Sequence, residues 1–361
     1  MEGSRTLQKA PEQWLGSCPP SPAPKTNPAN AWVSVRIHPS QFPGAIAASL
    51  REALRTREMN HKFHYDTPRQ ALRWLRLHEA FSPARTDPNC HRIYHQAFAA
   101  AAARLRGATE IQVISLGCGG GQKDAQLLEV LRQDLAGRRL HYVPADVSPS
   151  LTLVSRDAAM ATGLTAEDCL PLVLDLGATT DWSSAFEPAM EPSAPRVICF
   201  FGMLPNFAPS AALTRLAPLV RPNDLLLFSA NLAPGADYAA GVERIRPLYD
   251  NGLTREWLWT VLHDLGAEAD AGEMTFRVAP CSEGSGLLRI EAVVTFVRPC
   301  QLRVDGEVFE YAPGTEFRLF YSYRHTSERL RILCDASGIA LDGHWENASG
   351  EEGVFLGSRC P

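Results

Sequence analysis

The sequence predicts an α/β protein whose centre is a mostly parallel sheet with helices on both faces, and two observations carry that expectation. From Ile111 to Ser148 the chain reads IQVISLGCGGGQKDAQLLEVLRQDLAGRRLHYVPADVS: an apolar β-branched run, a glycine turn, a helical pattern and a second apolar run that ends in Asp146. The spacing from Gly117 to Asp146 is that of one βαβ unit. The alternation then continues. A helical stretch at 150–162 precedes a strand at 170–174 that stops at Asp175, and an interrupted helical segment at 182–186 precedes a strand at 196–201. A helix at 210–219 and a strand at 225–229 complete the series, and strands alternating with helices imply parallel pairing.

The flanks have a different texture. Residues 1–30 carry Pro11, Pro19, Pro20, Pro22, Pro24 and Pro28 among Ser, Ala and Lys, which reads as a flexible tail. Helical periodicity covers 42–57, 68–81 and 88–105, with HKFHYD at 61–66 expected as a loop. From Met274 onward, short strand-like runs at 287–297, 301–304 and 309–311 are separated by turns at Asp305-Gly306 and Pro313-Gly314. A helix at 327–336 closed by Gly338, then apolar runs at 339–341 and 354–356, suit a terminal β-hairpin returning to the sheet.

The glycine turn has a chemical reading. Glycines let the backbone turn sharply and let a ligand approach without meeting a Cβ, and the helix that follows offers unpaired N–H groups. A carboxylate at the tip of the next strand can accept both hydroxyls of a ribose. G-x-G-x-x-G is not matched strictly: Gly117, Gly119 and Gly120/Gly121 are present, but Asp124, not glycine, lies beyond. A nucleoside cofactor without a pyrophosphate fits better, and S-adenosylmethionine is the natural candidate. Gly117, Asp146, Asp175 and Asn206 all fall at expected strand ends, where ligands of such sheets bind.

Composition sets bounds. The 361 residues are 45% hydrophobic, enough for a sizeable core, and the net charge of −5 advertises no basic surface for nucleic acid. No apolar run is long enough for a membrane span and no N-terminal signal pattern is present, so a cytoplasmic protein is expected. The nine cysteines contain no CxxC pair, which points to reduced side chains rather than zinc or disulfides. His91 and His95 are spaced to share a helix face, but they lack an H-E-x-x-H context and read as solvated residues. No metal site and a monomeric state are expected.

Seven motifs occur in an order that resembles the histidine-specific methyltransferases, which methylate the α-amino nitrogen of amino acids with S-adenosylmethionine. They are FHYD (63–66), FSPART (81–86), SLGCGGGQK (115–123), YVPADVS (142–148), FFGMLPNF (200–207), YDNGLT (249–254) and FYSYRHT (320–326). The resemblance implies a Rossmann-like class I methyltransferase sheet with a second α+β domain formed from N-terminal helices and a β-rich insertion. The expected division is a tail at 1–30, helices of the substrate domain at 31–97, the cofactor-binding domain at 98–250, the β-rich insertion at 251–317 and a C-terminal return to the sheet at 318–361. The resemblance further implies that Gly117, Gly119 and Lys123 border the methionine part of the cofactor, that Asp146 holds the ribose, and that Asp175 lies near the adenine. Tyr65, Asn206 and Tyr249 would hold the carboxylate and amine of the substrate, with Ser322 beside them.

The chain departs from the family pattern on the substrate side. YYPTR is FSPAR here, so Phe81 stands where a tyrosine hydroxyl would be, and the GSTIGN loop is one residue shorter. The E-x-S pair that grips an imidazole is Phe320-Tyr321-Ser322. A site that has lost a buried carboxylate cannot satisfy an imidazole N–H in the same way. The expected substrate is therefore a small amine or amino acid other than histidine, apolar or aromatic, packing on Phe320 and Phe81. The alternatives are a non-catalytic regulatory member and a methyltransferase for an oxygen or sulfur acceptor.

Overall fold

In the structure, a computed structural model that describes residues 32–281 and 285–360, one compact unit begins at Val35. Its first elements are strand β1 (Arg36–Ile37) and helices α1 (Pro43–Thr56), α2 (Pro68–Phe81), α3 (Pro83–Thr86) and α4 (Pro88–Arg104). Each of these helices has proline in its first turn, where the missing N–H costs nothing. Thr67 and Gln70 form a capping box at α2, and the Asp87 carboxylate accepts the Asn89 N–H at α4. The expected tail at 1–30 lies outside the described residues.

The βαβ alternation follows as β2 (Glu110–Leu116), α5 (Gln122–Asp134), β3 (Arg139–Asp146), α6 (Pro149–Ala161), β4 (Leu172–Val173), α7 (Trp182–Phe186), β5 (Arg196–Phe200), α8 (Pro209–Leu216) and β6 (Leu225–Asn231). Helices α9 (Tyr238–Tyr249) and α10 (Gly252–Asp264) lead into strands β7 (Gly272–Pro280), β8 (Leu288–Phe296), β9 (Cys300–Val304), β10 (Glu307–Tyr311) and β11 (Glu316–Arg324). Helix α11 (Ser327–Ala336) and the hairpin of β12 (Ile339–Glu346) and β13 (Glu352–Arg359) end the chain.

Eight strands form the central sheet in the order β1-β4-β3-β2-β5-β6-β13-β12. All pairings from β1 to β6 are parallel, and the terminal hairpin adds antiparallel at the β6 edge. The α/β sheet with helices on both faces is thus present as expected. Strands β2 and β5 are buried almost throughout, as parallel strands covered on both faces must be. Arg196 at the start of β5 is buried against Asp224, with Nε donating at 2.8 Å and Nη2 donating to the Leu219 carbonyl at 2.7 Å. Removing either member of such a pair leaves an uncompensated buried charge, a loss of about 3–5 kcal/mol. The chain runs outward from β2 to β3 and β4 and then returns to β5, so a crevice opens beside β2 at the carboxyl ends.

The second layer rests on a three-stranded antiparallel sheet, β11-β8-β7, and the hairpin β9-β10. One apolar cluster joins Leu54 of α1, Trp257 and Leu258 of α10, Ile290 of β8 and Phe317 of β11. Two features shift the expected boundaries. Residues 251–317 open with helix α10, because Asn251 caps a helical run, and strands begin only at Gly272. The division at 318 falls inside β11, which pairs with β8, so the return to the central sheet comes with β12 and β13. The expected loop at 61–66 contains a short 3-10 helix, His61–His64, whose Lys62 N–H is capped by the Asn60 side chain.

Cys90, Cys169, Cys199 and Cys334 are buried free thiols. His91 and His95 are exposed, and among the described residues no group of three or more metal-ligating side chains clusters. No helix of the described residues is long and apolar enough to cross a membrane.

Candidate functional site

Above the carboxyl ends of β2, β3 and β5 lies a cavity of ≈ 730 Å³, a volume suited to a small-molecule ligand. Gly117, Gly119, Lys123, Asp146, Asp175, Tyr65, Asn206, Tyr249, Ser322, Phe81 and Phe320 all contribute to its lining.

The wall formed by the glycine loop is built mainly by backbone. The Gly117 and Cys118 N–H groups donate to the Ala145 carbonyl at 2.8 and 3.0 Å, tying the loop to the end of β3. Gly119 has φ +53°, and a Cβ there would lie 2.7 Å from Cη2 of Trp74, so the loop leaves no room for a side chain. The Gly119 N–H donates to Asp146 Oδ2 at 3.0 Å and the Ser148 N–H to Oδ1 at 2.9 Å. These bonds fix the carboxylate while burial pushes its pKa up to about 6. Asp146 is not the cap of α6; Ser148 takes that place. A loop with no room for a Cβ, a helix start without a side-chain cap and a held carboxylate fit the nucleoside end of S-adenosylmethionine.

Asp175 and Lys123 are both engaged. Asp175 accepts the Ala178 N–H at 3.0 Å, and its Oδ2 is 3.0 Å from Lys62 Nζ in an ion pair that is almost wholly buried. Lys123 is not a solvated helix lysine. Its Nζ donates to Tyr94 Oη at 2.6 Å and to Glu352 Oε1 at 3.2 Å, while Tyr94 Oη donates to the same Glu352 carboxylate.

The opposite wall is built by side chains. Residues 61–65 are held on β11, where the His64 ring bonds the Leu319 carbonyl at 2.7 Å and the Trp257 N–H donates to the His64 carbonyl at 2.8 Å. Tyr65 then packs edge-on to Trp74, with ring centres 5.7 Å apart, and against Trp257 at 5.5 Å. Burial, and then the nearby Asp146 charge, push the Tyr65 phenol well above its ordinary pKa, so it stays protonated. Its hydroxyl makes no bond to the backbone among the described residues. Tyr249 Oη donates to Ser322 Oγ at 2.9 Å and accepts from Arg324 Nη2 at 2.8 Å.

Asn206 closes the turn after β5, and its backbone carbonyl accepts the Tyr321 hydroxyl at 3.1 Å. It does not cap α8, whose N-cap is Ala208. Phe320 is buried, with its ring 5.8 Å from Trp257, 6.1 Å from Tyr249 and 5.0 Å from His61. Phe81, at the end of α2, is 52% exposed and stands at the rim of the cavity rather than inside it.

Sequence reasoning missed His61, Lys62, Trp74, Trp257, Arg324 and Glu352, all of which line the cavity. His61 and Lys62 were within reach, since they adjoin FHYD, and Arg324 lies inside FYSYRHT. Trp257 and Glu352 carry no local signal. Both His61 nitrogens lack hydrogen-bond partners, and burial, then His64 and Arg318, hold its pKa down at about 3.

No curated protein matches the chain. Solved structures that the chain matches include the mitomycin 7-O-methyltransferase MmcR, at 15% identity and TM-score 0.38, covering 89% of this chain and 70% of that one. Magnesium protoporphyrin IX methyltransferase from Synechocystis PCC 6803 with bound SAH has 12% identity and TM-score 0.39, with coverages of 81% and 95%. The glycopeptide N-methyltransferase MtfA complexed with S-adenosylmethionine has 12% identity and TM-score 0.36, with coverages of 74% and 94%. The assignment rests on sequence: residues 45–359 match the family described as histidine-specific methyltransferase, SAM-dependent. The chain belongs to that family of S-adenosylmethionine-dependent methyltransferases.

Proposed function

We propose that the protein methylates the amine nitrogen of a small amino acid or similar molecule, and that this acceptor is not histidine. The observation that carries the reading is one cavity lined both by the glycine loop and Asp146 and by Tyr65, Asn206, Tyr249 and Ser322. S-adenosylmethionine, when bound, supplies an electrophilic methyl group on its sulfonium. The chain's residues have to hold a neutral amine in line with that methyl and exclude water, where positioning alone can contribute about 7–11 kcal/mol.

Tyr65 stays protonated and orients the amine as a hydrogen-bond partner rather than as a base. The Tyr249–Ser322 pair offers a second hydroxyl and a short path for the proton. Histidine is disfavoured by Phe320, whose buried ring, with His61, Tyr249 and Trp257 around it, offers an imidazole N–H no carboxylate. Purified protein with radiolabelled S-adenosylmethionine and separate pools of amino acids, amines, alcohols and thiols tests the proposal. Label is expected in the amine-bearing pools. Label confined to alcohols or thiols, or no transfer to any pool, would overturn it.

A further inference from the structure

Arg324 is unlike the other arginines of its sheet. Arg318, on the same strand, pairs with Glu58 at 2.6 Å and Glu291 at 3.2 Å, and Arg289 pairs with Glu291 at 2.6 Å. Arg324 is only 6% exposed and lines the cavity, yet among the described residues no carboxylate lies within ion-pair distance. Its guanidinium donates to the Tyr249 hydroxyl at 2.8 Å and to the Leu232 carbonyl at 3.4 Å and lies over the Tyr249 ring, 5.4 Å from its centre, while its Nε–H has no partner. A buried cation without a counter-charge is costly unless a ligand supplies one. The planar fork of arginine matches a carboxylate in geometry and charge.

The register of β11 says where that carboxylate would lie. Alternate residues share a face, so Phe320, Ser322 and Arg324 follow one another along the cavity wall, about 7 Å apart from one to the next. The apolar ring, the hydroxyl pair with Tyr249 and the cation then correspond in order to a side chain, an amine and an acid. We propose that Arg324 anchors the carboxylate of the methyl acceptor, so that the acceptor is an α-amino acid rather than the corresponding decarboxylated amine. This rests on the reading of the cavity as an amine-acceptor site. It differs from the resemblance, which gives the carboxylate to the neutral groups of Tyr65, Asn206 and Tyr249.

The test compares phenylalanine, tyrosine and tryptophan with phenethylamine, tyramine and tryptamine as acceptors. The unaltered protein is expected to prefer the acids by about 100-fold in kcat/KM, a ratio that needs no variant. Arg324→Gln is expected to bring the ratio to within about threefold, chiefly through KM for the acid, and Arg324→Lys to recover part of it. The affinity for S-adenosylhomocysteine, measured by calorimetry, should stay within about threefold in both variants. No preference in the unaltered protein, an equal loss on acids and amines, or lost cofactor-product affinity in a variant with parental melting would overturn the proposal. Should none of the six probes be methylated, the pooled-acceptor assay decides the amine reading on its own. Calorimetric titration of the S-adenosylhomocysteine complex with the three acids then decides: Arg324-dependent binding supports the anchor, and no binding at millimolar acid overturns it.

Discussion

On the sheet side of the cavity the groups that define the site are the turns of Gly117, Gly119 and Gly121 and the Asp146 carboxylate, all within the span of one βαβ unit. On the other side, Tyr65, Asn206, Tyr249, Trp257, Ser322 and Arg324 converge from separate segments of the chain. On the proposed function the first wall holds the cofactor and the second the acceptor. Side chains of the second, Phe320 among them, are then expected to change one at a time without altering cofactor binding.

The largest test of this contrast is Gly119→Val. Its positive φ and the 2.7 Å approach of Trp74 to a Cβ predict that S-adenosylhomocysteine affinity falls by more than about 100-fold, read by calorimetry. Binding retained within tenfold would mean that the loop does not define the cofactor wall. Phe320→Glu probes the other wall. A carboxylate buried among the rings of His61, Tyr249 and Trp257 is expected to lower methylation of an aromatic amino acid about 30-fold and stability by about 2 kcal/mol, while cofactor affinity stays within threefold. A parallel loss of cofactor affinity would break the independence of the walls.

The smallest effect is one of pH. Burial raises the Asp146 pKa to about 6, and a ribose hydroxyl is best accepted by the ionised form. Affinity for S-adenosylhomocysteine should be level above about pH 7 and fall up to tenfold per unit below 6, with Asp146→Asn flattening the profile. For the free protein the sign is opposite. A carboxyl with a raised pKa favours the folded state most below its ordinary value of 3.8, and that contribution is lost as pH rises through 6.

The legibility of the sequence follows the same division. Strand–glycine–helix at Ile111 to Ser148, Thr67-Pro68 at the head of α2 and Ser148-Pro149 at the head of α6 are local signals with local causes, and the elements formed where they indicate. Helix α10 was obscured by the strand texture that follows it, although Asn251 is a plain N-cap. On the acceptor side, the resemblance named residues that the fold brings to one cavity, but their partners were not legible. The pairing of Lys62 with Asp175 spans separate segments, and the solitude of Arg324 depends on where acids are absent in space. Phe81 looked equivalent to Phe320 in sequence, and only the end of α2, which leaves it at the rim, separates them.

The Tyr94–Lys123–Glu352 network carries a consequence for biosynthesis. Glu352 lies 229 residues after Lys123, on the strand that also covers the β6 edge. A nascent chain that has released every βαβ unit therefore still has a bare, apolar sheet edge and a buried lysine without its acid, together with an acceptor wall lacking Ser322 and Arg324. Such an edge is a template for pairing with other chains. A premature stop within the terminal hairpin is therefore expected to yield an aggregating product rather than a slow enzyme, read by sedimentation of the truncated chain.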